Sequence, residues 1–372
     1  MTEAVARKFV PLADPHGEAK ALRREIEAAF MRVVDGGSYI LGPEVEAFES
    51  AMAKDVGVAS VLGVASGTDA LVIALLGLEV GPGDEVVTVS HTAGPTVAAI
   101  RMIGATPVLV DVTDDTYCID PAKIAGALSP RTKAVIAVHL YGHGADMAAV
   151  KASAGAVPVI EDCAQAQGGE IGNRPVGSLG AVACFSFYPT KNLGAIGDGG
   201  AVATDSAALA ERMRMLRTYG WRQPQYAEIE NGRCSRLDEL QAALLSVKLR
   251  HLAQNVERRR AIAARYRDGL KGLPLVLPHE RESCKHAYHL YVIRCPERDA
   301  LQAHLKQRDI GTGRHYPHPV HRQPGLAAKA RIPAPLTVTE RIAGEILSLP
   351  MFATMTDDQT DRVIGEIRAF YG

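Results

Sequence analysis

The sequence predicts an α/β protein built on a mostly parallel sheet. Three observations carry that prediction. Apolar, strand-like runs recur through the first 204 residues. Helix-like segments separate the first four runs, and strands that alternate with helices pair in parallel. The runs are rich in β-branched residues without polar alternation, as befits strands covered on both faces.

The strand candidates are 85–89, 106–112, 133–138, 157–160, 183–187 and 200–204, and Val64 closes a further short one. The intervening helices are expected at 96–102, 120–128 and 146–152. After Arg236, the residues Leu237, Leu240, Leu244, Val247 and Leu252 recur at helical spacing, and the charged run Glu257-Arg258-Arg259-Arg260 follows. This predicts a long helix, continuous or broken, that ends near Gly269 and would span roughly 50 Å if continuous. From Pro274 onward a strand at 290–294 mixes with helices at 298–308, 339–347 and 358–370. We therefore expect two domains: 1–250, a large domain including the N-terminal segment, and 251–372, a smaller α+β domain.

Bulk properties exclude several classes. With 47% hydrophobic residues in 372, the chain can bury a large core. A formal net charge of −1 and the lack of a long basic run argue against nucleic-acid binding. No apolar stretch reaches the roughly 20 residues needed to span a bilayer. The opening MTEAVARKFVPLADP lacks the apolar core of a signal peptide. Only about ten N-terminal residues read as unstructured. The six cysteines form no C-x-x-C pair, which suggests free thiols in a reducing cytoplasm.

The chemistry is concentrated in three places. Val64-Ala65-Ser66-Gly67-Thr68-Asp69 ends a strand and opens a helix. Gly67 admits a close anion, and the first amides of a helix have no internal partner, so this is a phosphate site or an ordinary N-cap. Asp162 closes the run 157–160 and falls at the carboxyl end of a parallel strand, where ligands bind in open sheets. Gln165 lies three residues on. Lys191 follows Phe185-Ser186-Phe187-Tyr188-Pro189-Thr190, and Ser186 could donate to the same phosphate. A loop lysine and a strand-end carboxylate are what an enzyme using pyridoxal phosphate (PLP) needs. The amine forms a Schiff base, and the carboxylate keeps the pyridine nitrogen protonated.

Other motifs point to less. Gly194 to Gly200 precedes a strand and is no dinucleotide fingerprint. His315-Tyr316-Pro317-His318-Pro319-Val320-His321 resembles a metal cluster, but its prolines hold it extended and no other ligand completes it, so no metal is expected. A substrate-contacting loop, with His315 and Tyr316 as contacts together with Tyr188, or a plain rigid loop is the reading. No G-x-S-x-G elbow, Walker loop or H-E-x-x-H motif is present.

Taken in order, the motifs resemble the DegT/StrS-type sugar-nucleotide aminotransferases, PLP enzymes of the aspartate-aminotransferase fold, type I. The matching stretches are GSYILGPEVEAFE from Gly37, SGTDAL from Ser66, GATPVLVDV from Gly104 and EDCAQAQGG from Glu161. FSFYPTKNLGAIGDGG from Phe185, SRLDELQAALL from Ser235 and LSLPMF from Leu347 complete the set. They span nearly the whole chain. The resemblance implies a mostly parallel seven-stranded sheet. It implies Lys191 as the Schiff-base lysine, Asp162 as the pyridinium partner, Gln165 beside the ring hydroxyl, and Gly67, Thr68 and Ser186 at the phosphate. It implies a homodimer in which 232–236 reaches into the partner's site.

The chain departs from the family pattern twice. A stacking aromatic is replaced by Ala93, for which His91 is the candidate substitute. An asparagine donated to the partner's phosphate is replaced by Cys234. Some relatives carry histidine in place of the lysine and dehydrate sugars, which Lys191 argues against. The implied activity moves an amino group from L-glutamate to a nucleotide-linked keto sugar. The stretches Tyr219-Gly220-Trp221-Arg222 and Ser235 to Leu240 look most like members that aminate C-3 of dTDP-3-keto-6-deoxyhexoses. Amination at C-4, UDP- or GDP-linked substrates, and a non-catalytic regulator on the same fold are the alternatives.

Overall fold

The structure is a computed structural model that describes residues 9–372, so the N-terminal tract read as unstructured lies mostly outside the described residues. Helices α1 (Pro15–Ala21), α2 (Arg23–Gly36) and α3 (Pro43–Val56) lead to β1 (Ser60–Val64) and α4 (Gly67–Gly77). Then come β2 (Glu85–Val89), α5 (Gly94–Met102), β3 (Thr106–Val110), β4 (Thr132–Val138), α6 (Met147–Ala154) and β5 (Val159–Asp162). Strands β6 (Val182–Ser186) and β7 (Gly200–Thr204) close the sheet, and α7 (Ala207–Leu216), α8 (Glu239–Leu249) and α9 (Leu252–Leu270) follow.

The seven strands lie in the order β1-β7-β6-β5-β4-β2-β3. Strand β7 runs antiparallel to both neighbours, and the other four pairings are parallel. Both faces are covered. Leu62, Val182, Cys184 and Val202 pack on the face under α4 and α5. Val61, Ala183, Phe185, Ala201 and Ala203, one residue out of phase, pack on the face under α3 and α8. That alternation is the period of two of a pleated strand.

A third core lies beyond α9. It is built on the antiparallel pair β8 (Tyr291–Arg294) and β9 (Ile346–Leu349), with α10 (Arg298–Gln307), α11 (Thr337–Glu345) and α12 (Asp357–Tyr371) around them. Val10 joins this core and bridges to Ile310, so the N-terminal stretch is not confined to the sheet domain as expected. Val10 N donates to Asp309 O at 2.9 Å and Val10 O accepts from Gly311 N at 2.8 Å, which holds the side chain among the apolar residues of this core.

Two expected elements differ, and a third is decided between its alternatives. The helix at 120–128 is two single 3₁₀ turns, Pro121–Lys123 and Ala125–Ala127. Ile124 N bonds Pro121 O and Ala127 N bonds Ile124 O, so the tighter spacing replaces the α ladder beside Pro121 and Gly126. The long helix takes the broken form of the two expected: it is interrupted at Arg250-His251, where His251 N bonds back three residues to Lys248 O, and ends at Leu270. The helix expected at 339–347 ends at Glu345, and Leu347 belongs to β9. There the backbone pairs with β8, which satisfies polar groups that burial would otherwise leave bare.

Candidate active site

The carboxyl ends of β1, β5 and β6 converge on one cavity of about 230 Å³. The three strands that deliver these residues are parallel or nearly adjacent, so three separate loops open at the same sheet edge.

From β1 comes the start of α4. Ser66 caps the helix by accepting from Asp69 N at 3.1 Å. The amides of Gly67 and Thr68 are left without helical partners, at the positive end of the helix dipole. Both residues line the cavity, as does Ser186 from the end of β6. The approach is close. A Cβ on Gly67 would lie 2.6 Å from Ser186 Cβ, and one on Gly200 would lie 2.4 Å from the Ser66 carbonyl. The N-cap reading and the anion-site reading of this segment are therefore compatible: one amide is capped and two remain to bind.

From β5 comes Asp162, buried at 5% exposure. It accepts from Thr96 Oγ1 at 2.9 Å and from Ala164 N at 3.2 Å. Burial raises its pKa, with the Thr96 and Ala164 bonds and nearby Lys191 pulling the other way. Lys191 sits in a turn after β6 whose amide bonds Tyr188 O at 2.8 Å. Burial brings its ammonium down to about 8, with Asp162 opposing. Both side chains line the cavity. An anion cradle, a lysine eased toward neutrality and a buried carboxylate short of a cation suit the phosphate, the carbonyl carbon and the ring nitrogen of PLP.

Gln165 lines the cavity between them. Its Oε1 accepts from Tyr141 N at 2.7 Å, and its Nε2 donates to Tyr316 Oη at 2.7 Å. Tyr188, 55% exposed, lines the mouth. His315 and Tyr316 stand behind this wall. His315 Nδ1 lies 2.8 Å from Ser348 Oγ, and burial and Lys191 take its pKa down to about 4. Burial pushes the Tyr316 phenol up to about 12.

His315 and Tyr316, expected as substrate contacts, thus do not line the cavity, and two further expected site residues are elsewhere. His91 does not line the cavity, so the suggestion that it replaces the stacking aromatic is corrected. Its ring is fully buried, edge-on to Tyr141 at 6.0 Å, whereas Ala93 lines the cavity. Cys234 also lies outside the cavity of its own protomer. It is exposed and sits 3.0 Å from Arg236 Nη2. Its loop is tied to α4 by Arg233 Nη1 and Ser235 Oγ, which bond Asp69 at 3.1 and 2.9 Å.

The histidines of 315–321 do not gather. His315 faces Ser348, whereas His321 bonds Ser90 and Glu340. Among the described residues, His139, Glu161 and Cys163 alone bring ligand-type atoms within 4.8 Å of one another. Those atoms are committed. His139 Nδ1 accepts from Ala145 N, so Nε2 carries the proton and donates to Glu161 at 3.0 Å.

Sequence reasoning gave no role to Thr96 or Tyr141. Thr96 had a weak signal, one turn into a helix that follows a strand carboxyl end. Tyr141 had a positional one. Val138 of β4 is paired with Asp162 of β5, so whatever follows β4 must flank the carboxylate.

This fold and cavity define a fold-type-I, PLP-dependent aminotransferase. The DegT/DnrJ/EryC1/StrS aminotransferase family model matches residues 20–368, and the chain belongs to that family. It is 45% identical over 362 residues to a dTDP-3-amino-3,4,6-trideoxy-α-D-glucose transaminase of Streptomyces venezuelae, covering 96% of this chain and 95% of that one. It is 43% identical over 361 residues to a UDP-N-acetyl-3-dehydro-α-D-glucosamine 3-aminotransferase of Acidithiobacillus ferrooxidans, covering 96% and 97%. Its structure superposes on that of S. venezuelae DesV in complex with a ketimine intermediate with a TM-score of 0.95, at 45% identity and 98% coverage of both chains.

Proposed function

We propose that this chain moves an amino group from L-glutamate to the C-3 keto group of a nucleotide-linked deoxysugar, a dTDP-3-keto-6-deoxyhexose. The observation that carries the reading is Lys191 and Asp162 buried in one cavity of a family member. PLP, when bound, supplies an electron sink for the carbanion that forms at the donor's α-carbon.

The residues supply the rest. Lys191 Nζ would take the proton from the donor α-carbon and deliver it to the cofactor's C4′ carbon, so that the nitrogen stays with the cofactor. A pKa brought down to about 8 by burial suits a group that must both accept and release it. The Asp162 carboxylate holds the proton on the ring nitrogen, and that cation in turn stabilises an ionised Asp162 in its buried seat. The amides of Gly67 and Thr68, with the Ser186 hydroxyl, hold the phosphate. Gln165 donates to the ring hydroxyl. Tyr188 contacts the sugar at the mouth, with His315 and Tyr316 supporting that wall.

We read the working unit as a homodimer in which 232–236 of one protomer, Cys234 included, completes the other's site. Exposed apolar residues of α2 and its continuation support this: Phe30, Met31, Val34, Tyr39 and Ile40. The three cores support a two-domain division near 250, with Val10 assigned to the second. All six cysteines are free, and among the described residues no helix is long and apolar enough to cross a membrane. A cytoplasmic enzyme fits both facts.

The test is a visible absorbance spectrum of the PLP-loaded protein, followed by L-glutamate and then by sugar nucleotides. A band that bleaches with glutamate and returns with a 3-keto sugar supports the reading. Return with a 4-keto sugar alone overturns the C-3 assignment, and no bleaching overturns the donor. Parallel dTDP- and UDP-linked substrates decide the nucleotide.

A further inference from the structure

Among the described residues His91 makes one polar contact, with the Tyr141 hydroxyl. The Tyr141 hydroxyl bonds the carbonyl oxygen of His315. A carbonyl only accepts, so Tyr141 spends its proton there. His91 Nε2, 2.7 Å from the same hydroxyl, must then be the donor. His91 is therefore the Nε2–H tautomer, and its buried Nδ1 has no partner. Burial takes the imidazole down to about 3, so it stays neutral.

The second half of the chain runs through the backbone. Tyr141 has φ 60° and ψ 0°, a left-handed conformation that costs a non-glycine residue about 1 kcal/mol or more. That turn aims the Tyr141 amide at Gln165 Oε1. With the oxygen so engaged, Gln165 can only show its NH₂ to Tyr316 and to the cavity. The Tyr141 hydroxyl, bonded to both His91 Nε2 and the His315 carbonyl, anchors the side chain of this strained residue.

We propose that His91 is a positioning residue which, through Tyr141, orients the Gln165 amide so that it presents a donor to the cofactor cavity. This rests on the PLP reading above. An anionic ring oxygen beside Gln165 is then met by an N–H. A flipped amide would meet it with a carbonyl oxygen. The role differs from stacking, because the His91 ring never enters the cavity. It also accounts for a buried histidine that the reaction itself does not use.

The experiment compares the wild type with His91→Phe, His91→Gln and Tyr141→Phe. Apo-protein is titrated with PLP to obtain the dissociation constant, and the visible band of the loaded protein is then titrated with pH. We expect His91→Phe and Tyr141→Phe to weaken PLP about tenfold and to move the pH midpoint by about half a unit or more, the scale of one hydrogen bond. His91→Gln, which restores an N–H donor, recovers at least half of both effects. Tyr141→Phe removes a single oxygen and keeps the ring, so it serves if His91→Phe fails to fold. A His91→Phe or Tyr141→Phe protein with wild-type affinity and midpoint overturns the proposal. Equal losses in His91→Phe and His91→Gln overturn it too, because they would mean that only packing matters. A wild type that shows no band with PLP overturns the cofactor reading first and this inference with it.

Discussion

Glu161 and Asp162 are adjacent carboxylates in the same strand, both buried, and they meet opposite fates. Side chains alternate across a strand, so Glu161 faces one side of the sheet and Asp162 the other. Glu161 accepts from His139 Nε2 and from the amides of Gly177, Leu179 and Gly180, at 2.6–3.0 Å. Burial alone would raise its pKa, yet these donors outweigh burial and lower it. Asp162 has two donors, and burial wins. A buried carboxylate with a full set of donors is held ionised by the fold. One left short needs a cation from outside, and that shortage marks a site.

The sharpest break in this comparison comes from the cation side of the cavity. Lys191→Ala removes the acid–base group and is expected to lose at least the roughly 10²–10⁴-fold that such a group supplies. Single-turnover assays with glutamate would show it, and an active variant would sink the assignment.

Asp162→Asn comes next. Turnover should fall roughly 10²–10³-fold, the scale of a lost electrostatic partner. The apo-protein should gain stability. The folded pKa of Asp162 is raised above its ordinary 3.8, so the stability it contributes is present below that pH and lost as pH rises through the folded value. At neutral pH the asparagine therefore removes a penalty, and the apo Tm should rise. A lower apo Tm would contradict the account of Asp162 as short of a cation.

Glu161→Gln should do the reverse. It leaves amides facing an NH₂ and is expected to destabilise by about 2–4 kcal/mol, while the chemistry of any folded fraction stays near normal. The lowered pKa means that this stability is present above about pH 4.5 and lost as pH falls through the folded value. Denaturant melts across an acid series should therefore show a flatter pH dependence in the variant. The smallest effect is expected from Thr96→Val, which removes one of the two donors to Asp162. Turnover should drop several-fold, roughly one hydrogen bond to a charged group, and the apo Tm should fall slightly, because buried Asp162 loses one of its two donors.

Local pattern made much of the fold legible. The parallel strands announced themselves as β-branched runs, and their boundaries moved by only one or two residues, as at 157–160 against Val159–Asp162. The elements that differed were those where a neighbour outweighed local preference. Leu347 reads as helical but pairs with Ile293 in a strand. Residues 120–128 have helical composition, yet tighten into 3₁₀ turns around Pro121 and Gly126.

For the site, the residue types and order were enough to name Lys191, Asp162, Gln165, Gly67, Thr68 and Ser186, because a lysine, a strand-end carboxylate and a glycine at a helix start each carry their chemistry locally. The sequence by itself pointed to Lys191, Asp162, Gln165, Gly67 and Ser186, the family resemblance added Thr68, and the structure brings all six to the lining of one cavity. Only the tertiary structure decided which of two neighbouring carboxylates is satisfied, where His91 points, and that Thr96 and Tyr141 brace the cavity. Those outcomes depend largely on contacts between residues 16 to 174 positions apart. A side chain's donors, its burial and hence its charge are set by which strands lie side by side. That adjacency is a property of the assembled sheet and of no single segment.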